Sequence, residues 1–377
     1  MKLVVDTHHL LLENAGTKRV TINLLAELKK TDRINVVELQ PGYSLLKGRS
    51  VMSKLRGHLL RFIWVHVHLP IKCRLIKADF LLSPEFNTPM FSLCPRAVIA
   101  HDAHMRAQKE YTSALWFYFY YIPFIELAIR RSDVIFTVSE FAKEQVVNMM
   151  KLDRSKVFVA YNGVDELFLQ KKVADMVEFP EQLEPGKYVL FIGTFEARKN
   201  IERLIEAFAL LKSKHPFETK MLKLAIVGQP ASGTHSDRSE QIMSLIKKLD
   251  LEKEIVRCGY LPDAILPFVY QNATFIVFPS LQEGFGLPII EGFASRTAVI
   301  TSNLCSMPEV AGDAALQIDP YNVHDMLEKM EMLYFDADLK KKLVEAGEER
   351  VKEFTWRKCA DQMLSKILPS VTEKRLN

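Results

Sequence analysis

FPSLQEGFGLPIIEGFASRTAVITSNLCSMPEVAG, residues 278–312, decides the fold. The apolar run at 274–278 reads as a buried strand, and Pro279-Ser280 break it into a polar loop carrying Glu283, Gly284 and Gly286. A helix is expected next. Pro288 suits a first helical position, where its missing N–H costs nothing, and Ile289, Ile290 and Phe293 supply an apolar face. Such a strand, glycine loop and helix start present backbone N–H groups and a positive dipole end to an anion. Glu283 on the loop and Glu291 in the first or second helical turn are two carboxylates suited to accept hydrogen bonds from sugar or ribose hydroxyls. On spacing alone the same residues also fit an ordinary turn.

Outward from this stretch, apolar runs at 188–192, 222–227, 255–258, 274–278 and 298–301 read as strands. They alternate with helical patterns at 201–214, 237–249, 263–271 and 288–295, which implies a parallel sheet covered on both faces. The first turn of that sheet, Gly193 to Asn200, leads Arg198 and Lys199 onto a helix start. Adjacent cations are usually a solvated pair, but after the first strand of an α/β domain they can bind a diphosphate. Further on, Asp336-Ala337-Asp338 reads as a helix cap, followed by helices at 337–352 and 356–367.

The N-terminal half opens on a strand at 2–6; Asn14-Ala15-Gly16 then turn the chain into a helix with Ile22, Leu24, Leu25 and Leu28 inward. Strands follow at 79–82 and 97–100, the second ending in His101-Asp102. A helix at 111–131 leads to a strand at 134–138 and to Ser139, a helix N-cap. Pro180, Pro185 and Gly186 mark 173–187 as a linker between a domain over 1–172 and one over 188–355, with 356–377 a final helix. At 377 residues, two domains of about 150–200 residues are the natural division.

A net charge of +4 with no basic, aromatic-interleaved motif gives no reason to expect nucleic acid. The five cysteines are scattered, which fits neither a disulfide framework nor a CxxC metal site and points to a reducing cytoplasm. No signal-peptide pattern opens the chain, and the longest apolar run, 111–125, contains Pro123 and falls short of the ~20 residues a span requires. Residues 47–77 combine Lys47, Arg49, Lys54, Arg56, Arg61, Lys72, Arg74 and Lys77 with Leu55, Leu59, Leu60, Phe62, Ile63, Trp64, Val65 and Leu69. That mixture is expected to make peripheral contact with an anionic membrane, each cation adding about 1 kcal/mol, or else to be a solvated helix face. His66 and His68 lack a neighbouring ligand, so no metal site is assigned, and His104 receives no role.

The quoted stretch, continued through GDAALQIDP, resembles the signature of glycosyltransferase family 4, which reads FPSxxEGFGLPxxEAMAxGxPVVxSxxSxxPEVxGDAAxxxDP. Arg296 stands where that family usually has Gly, and Ala298 where it usually has Pro. Gly16-Thr17-Lys18-Arg19-Val20 is similar to the family's Gly-Ile-Gly-Arg-Tyr, TVSEFA to its TVSEFS, and YNGVD to the PNGVD that ends the first domain.

The resemblance implies a GT-B α/β fold, two Rossmann-like domains with parallel sheets facing across a cleft, the final helix crossing back to the first. It implies retaining transfer of a hexosyl group from a nucleotide diphosphate sugar to a glycan or lipid-linked acceptor. No cofactor and no metal are expected. His101, Glu283, Lys199 and Arg198 take the catalytic roles; Gly16, Arg19, Thr194, Gly284, Phe285, Gly286, Leu287 and Glu291 bind the donor. GTFEARKN looks most like the GTxEPRKN form of mannosyl- and rhamnosyltransferases of bacterial surface polysaccharides, placing the protein in the cytoplasm at the inner membrane face. An epimerase or a phosphorylase of the same fold lacks the EGFGLP pattern. A non-catalytic sugar-nucleotide scaffold subunit is the alternative that Thr194, Lys18 and Arg296 keep open, against retained Glu283, Glu291, Lys199 and His101.

Overall fold

The computed structural model describes residues 1–11, 15–43, 51–102, 117–170, 179–231 and 236–376. Asn14, Lys47, Arg49, His104, the start of the 111–131 helix and the first part of the 173–187 linker lie outside them. The chain forms two units, Met1–Gly163 with Thr355–Asn377, and Val164–Phe354.

The first unit holds a six-stranded sheet of β1 (Lys2–Asp6), β2 (Asn35–Leu39), β3 (Phe80–Ser83), β4 (Arg96–Ile99), β5 (Val134–Thr137) and β6 (Val157–Val159) in the order β2-β1-β3-β4-β5-β6. All its pairings are parallel. Leu3, Val4 and Val5, like Leu81 and Val98, are buried, as strands covered on both faces require. Helix α1 (Ala15–Lys29) links β1 to β2, and α2 (Val51–Ile63), a π-helical turn at Trp64–His68 and α3 (Leu69–Leu75) lead to β3. Ile22, expected on the inner face of α1, is 48% exposed. Thr21, Leu24, Leu25 and Leu28 form the buried i, i+3, i+4, i+7 stripe, and Ile22 falls about 100° off it.

Helix α4 (Glu140–Met150) begins at Ser139, whose hydroxyl accepts from Ala142 N at 2.9 Å, the expected cap. The C-terminal helix, Trp356–Leu376, packs on α1. Gly163 permits this closure, since a Cβ there would lie 2.1 Å from Trp356 N.

The second unit holds another six-stranded parallel sheet: β7 (Tyr188–Ile192), β8 (Lys223–Val227), β9 (Ile255–Gly259), β10 (Phe275–Phe278), β11 (Val299–Ser302) and β12 (Leu316–Ile318), ordered β12-β11-β10-β7-β8-β9. Helices α5 (Ile201–Lys214), α6 (Ser239–Lys248), α7 (Leu266–Gln271), α8 (Leu287–Ala294), α9 (Met307–Ala311), α10 (Val323–Phe335) and α11 (Ala337–Arg350) complete it. Its core runs from Phe191, Leu204 and Phe208 through Phe275 and Ile300 to Met326 and Leu333.

In each sheet, strand order reverses at one place. β1 leads to β2 on one side and β3 lies on the other; β7 leads to β8 and β9, with β10 opposite. Loops leaving the carboxyl ends at such a reversal diverge and open a crevice, where doubly wound sheets bind ligands. Among the described residues, no helix is long and apolar enough to cross a membrane.

Candidate functional site

The loops after β7 and β10 meet at the reversal point of the second sheet. Leu281 N donates to Arg198 O at 2.7 Å, tying one loop to the other. Asn200, in the left-handed region at φ 60°, caps α5 and donates from Nδ2 to Pro279 O at 3.1 Å and Pro320 O at 2.7 Å. The sequence reading gave Asn200 no role of its own; the short side-chain amide that tolerates this conformation was the available signal.

These ties place Lys199 and Arg198 on one carboxylate. Lys199 Nζ lies 2.6 Å and Arg198 Nη1 2.8 Å from Glu283 Oε1. Arg198 Nε also meets Glu196 Oε2 at 2.6 Å, and Lys199 Nζ sits 5.1 Å from the centre of the Phe278 ring. Burial opposes ionisation of Glu283, but Arg198 and Lys199 outweigh it and hold the carboxyl at about 2. Burial pushes the Lys199 ammonium below the usual lysine range, with Glu283 opposing that shift. Two cations and two carboxylates thus share one crevice, a charge-balanced cluster with both cations at the carboxyl end of β7.

Glu291 lies in the second turn of α8 and is 4% exposed. Tyr270 Oη donates to its Oε2 at 2.6 Å, a partner supplied by α7 that the sequence reading missed. Gly286 caps α8 at φ 105°, where a side chain is strained, and Pro288 follows Leu287 rather than opening the helix. Phe285 is buried against Phe354 at 5.6 Å between ring centres, and Ser306 Oγ lies 2.9 Å from both the Glu283 and Phe285 carbonyls. Gly284, Phe285 and Gly286 are buried while Thr194 is exposed. Arg296 takes φ 58°, and Thr297 N donates to Gly292 O at 3.0 Å. The turn after α8 therefore keeps the left-handed closure in which glycine is usual, with arginine in its place.

His101, Gly16 and Arg19 belong to the first unit. His101 follows β4 and donates from Nε2 to Pro84 O at 3.0 Å, which turns its ring toward the loop after β3. Gly16 is exposed in the first turn of α1, and Arg19 is half-buried in the next. His66, declined as a ligand, accepts from Met90 N at 3.1 Å, and burial pushes its imidazole down to about 4. Among the described residues, no group of three His, Cys, Asp or Glu side chains is placed to hold a metal ion.

The Glycosyltransferase Family 4 model matches residues 15–166, and the model described as Glycosyl transferases group 1 matches residues 175–350. The O-antigen chain mannosyltransferase B of Escherichia coli is 31% identical over 396 residues, 97% of this chain and 99% of that one. The chain belongs to glycosyltransferase family 4. Two solved structures share the GT-B fold of this glycosyltransferase across nearly its whole length. Sucrose-phosphate synthase from Thermosynechococcus elongatus is similar with a TM-score of 0.75 at 17% identity, covering 99% of this chain and 100% of that one. HepE of Anabaena, solved in complex with UDP and glucose, is similar with a TM-score of 0.74 at 14% identity, covering 98% and 100%.

Proposed function

We propose that this glycosyltransferase moves a hexosyl group, mannosyl first and rhamnosyl second, with retention, from a nucleotide diphosphate sugar to a glycan or lipid-linked glycan in cell-surface polysaccharide assembly. The observation that carries the reading is the convergence of Lys199 and Arg198 on Glu283 at the carboxyl end of β7 and β10. Transfer places growing negative charge on the departing diphosphate, so fixed cations lower the barrier most. Lys199 and Arg198 would exchange Glu283 for the diphosphate, freeing Glu283 to accept from sugar hydroxyls, while Glu291 holds the ribose. His101, Gly16, Arg19, Thr194 and the 284–287 loop contribute further donor contacts, and no resident metal is invoked. The similarity to an O-antigen mannosyltransferase supports mannose.

A membrane surface is the second partner in this reading. Trp64, Val65 and Leu69 belong to the core, which removes them from the proposed contact. Leu59, Val67, Ile71 and Leu75 are 44–75% exposed beside exposed Arg56, Lys72, Arg74 and Lys77, a surface suited to anionic lipid at the inner membrane face.

The test is thermal stability with GDP-, UDP-, dTDP- and ADP-linked sugars. A donor at about 100 times its Kd adds about 2.7 kcal/mol to the folded state. One nucleotide class is expected to raise Tm, Lys199→Ala and Glu291→Ala to abolish the rise, and Lys199→Ala to lower kcat/KM about 10²–10³-fold. If no nucleotide sugar shifts Tm, the donor site falls and a scaffold role takes its place; turnover of only a glucosyl or N-acetylglucosaminyl donor removes the mannosyl assignment.

A further inference from the structure

The first unit has its own reversal point, between β1 and β3, and a buried polar cluster occupies it. Asp6 ends β1 beside Ser83, which ends β3, in the register that pairs Val5 with Leu82. Asp6 and His8 are each 1% exposed. Asp6 Oδ2 accepts from His8 Nδ1 at 2.8 Å, and its Oδ1 accepts from Trp64 Nε1 at 3.0 Å and His8 N at 3.2 Å. Trp64 is fixed in turn among Val4, Val65, Leu69 and Leu81.

When Nδ1 alone carries a proton, donated to Asp6, the ring leaves a lone pair on Nε2. That atom is buried and has no hydrogen-bond partner among the described residues, and neither does Nδ1 of the adjacent His9, whose Nε2 is 2.8 Å from Thr21 Oγ1. Buried polar nitrogens are nearly always satisfied, so two in neighbouring rings 5.9 Å apart need an explanation. A structural role accounts for Asp6 and Trp64 but not for the orphan nitrogens. An anion is disfavoured there by Asp6 and by nearby Glu85, which accepts from Thr17 Oγ1 at 3.3 Å, and the described residues hold no metal-ligand set. A neutral O–H donor is the chemistry left.

We propose that the Asp6–His8 pair is a hydroxyl-reading subsite for the acceptor sugar, in which His8 Nε2 accepts a hydrogen bond from one acceptor hydroxyl. This rests on the glycosyltransferase reading above. Asp6 is a positioning residue, acting through the tautomer of His8, and His9 beside it suits a ligand with more than one hydroxyl.

The test uses the full chain with ¹⁵N-labelled histidine, His8 being assigned from His8→Gln. Methyl glycosides of mannose, rhamnose, glucose, galactose and N-acetylglucosamine are added in turn. At least one is expected to move the unprotonated His8 Nε2 resonance. In Asp6→Asn, Trp64 and His8 N hold the amide oxygen, so the amide NH₂ faces Nδ1; Nε2 should then be protonated and the response lost. His8→Phe should raise KM tenfold or more for whichever panel sugar accepts transfer, with the donor-induced Tm rise unchanged. His8→Gln, whose amide reaches the Nε2 position, should restore most of the loss.

A folded His8→Phe with unchanged acceptor KM overturns the proposal, as does a wild-type His8 resonance that no panel sugar moves, which decides the matter if His8→Phe does not fold. Sugars that move His8 when no nucleotide sugar shifts Tm would break the donor reading and leave this subsite standing.

Discussion

The two units build a crevice at the same topological place and furnish it oppositely. After β7 and β10 the polar groups are formal charges, and each cation named there already has a carboxylate. After β1 and β3 the polar groups are two buried imidazoles, His8 oriented by the Asp6 carboxylate and His9 paired with the Thr21 hydroxyl, with two ring nitrogens left unpartnered among the described residues. A balanced ionic cluster suits a ligand that arrives with charge and replaces an internal counter-ion. A pair of ring nitrogens without partners suits a ligand that brings only hydroxyls, which can donate or accept. The fold thus fixes where a ligand goes, and the side chains after the strand ends fix what it is.

Glu283→Gln should produce the largest effect on stability, because it keeps the shape while leaving Arg198 and Lys199 without their shared carboxylate. We expect a loss of about 3 kcal/mol near neutral pH, the low end for breaking a buried pair, since Glu283 retains 14% exposure. Its folded carboxyl sits at about 2, below the ordinary 4.5, so the stabilisation is complete above pH 4.5 and fades as pH falls toward 2. Urea unfolding at several pH values should show the gap between wild type and variant closing over that window. A gap that stays constant would mean that the cluster is not held by charge.

Trp64→Phe tests the neutral crevice. It removes one donor to Asp6 while His8 remains, and should cost about 1–3 kcal/mol in urea unfolding, with the donor-induced Tm rise unaltered. A cost above that of Glu283→Gln would reverse the ranking of the two crevices. Arg296→Gly is the smallest change and lies outside both. Relief of the left-handed strain at φ 58° is offset by glycine's backbone entropy and by loss of the exposed contact from Arg296 Nε to Glu348 at 3.0 Å. A net gain below about 1 kcal/mol is expected by the same unfolding assay, and a loss would show that the Glu348 contact outweighs the strain.

The sequence was most legible where burial is two-sided. The five strands expected from 188 to 301 all formed within about two residues of their expected ends; β7, β8, β10 and β11, covered on both faces, read as apolar runs, while β9 was found at the sheet edge despite its exposed Arg257. β2, β6 and β12 gave no such signal; all three lie at a sheet edge, where one flank is open and polar residues are tolerated, and β6 and β12 have only three residues each. In the site, Arg198, Lys199 and Glu283 were marked by loop position, and the structure joins them across the reversal point. The Tyr270 partner of Glu291 and the two carbonyls held by Asn200 depend on contacts between distant segments. Asp6 and His8 lay in plain view at the end of a strand, but nothing local to DTHH shows that Trp64, far along the chain, fixes the carboxylate that orients the imidazole.

The close approach of Gly163 to Trp356 has a consequence in time. The first unit is interrupted in sequence, and the helix that covers α1 is made only after the whole second unit has been translated. On the ribosome the second unit can close its core while the first still lacks one wall, so the face of α1 that the C-terminal helix covers is among the last surfaces to be sealed.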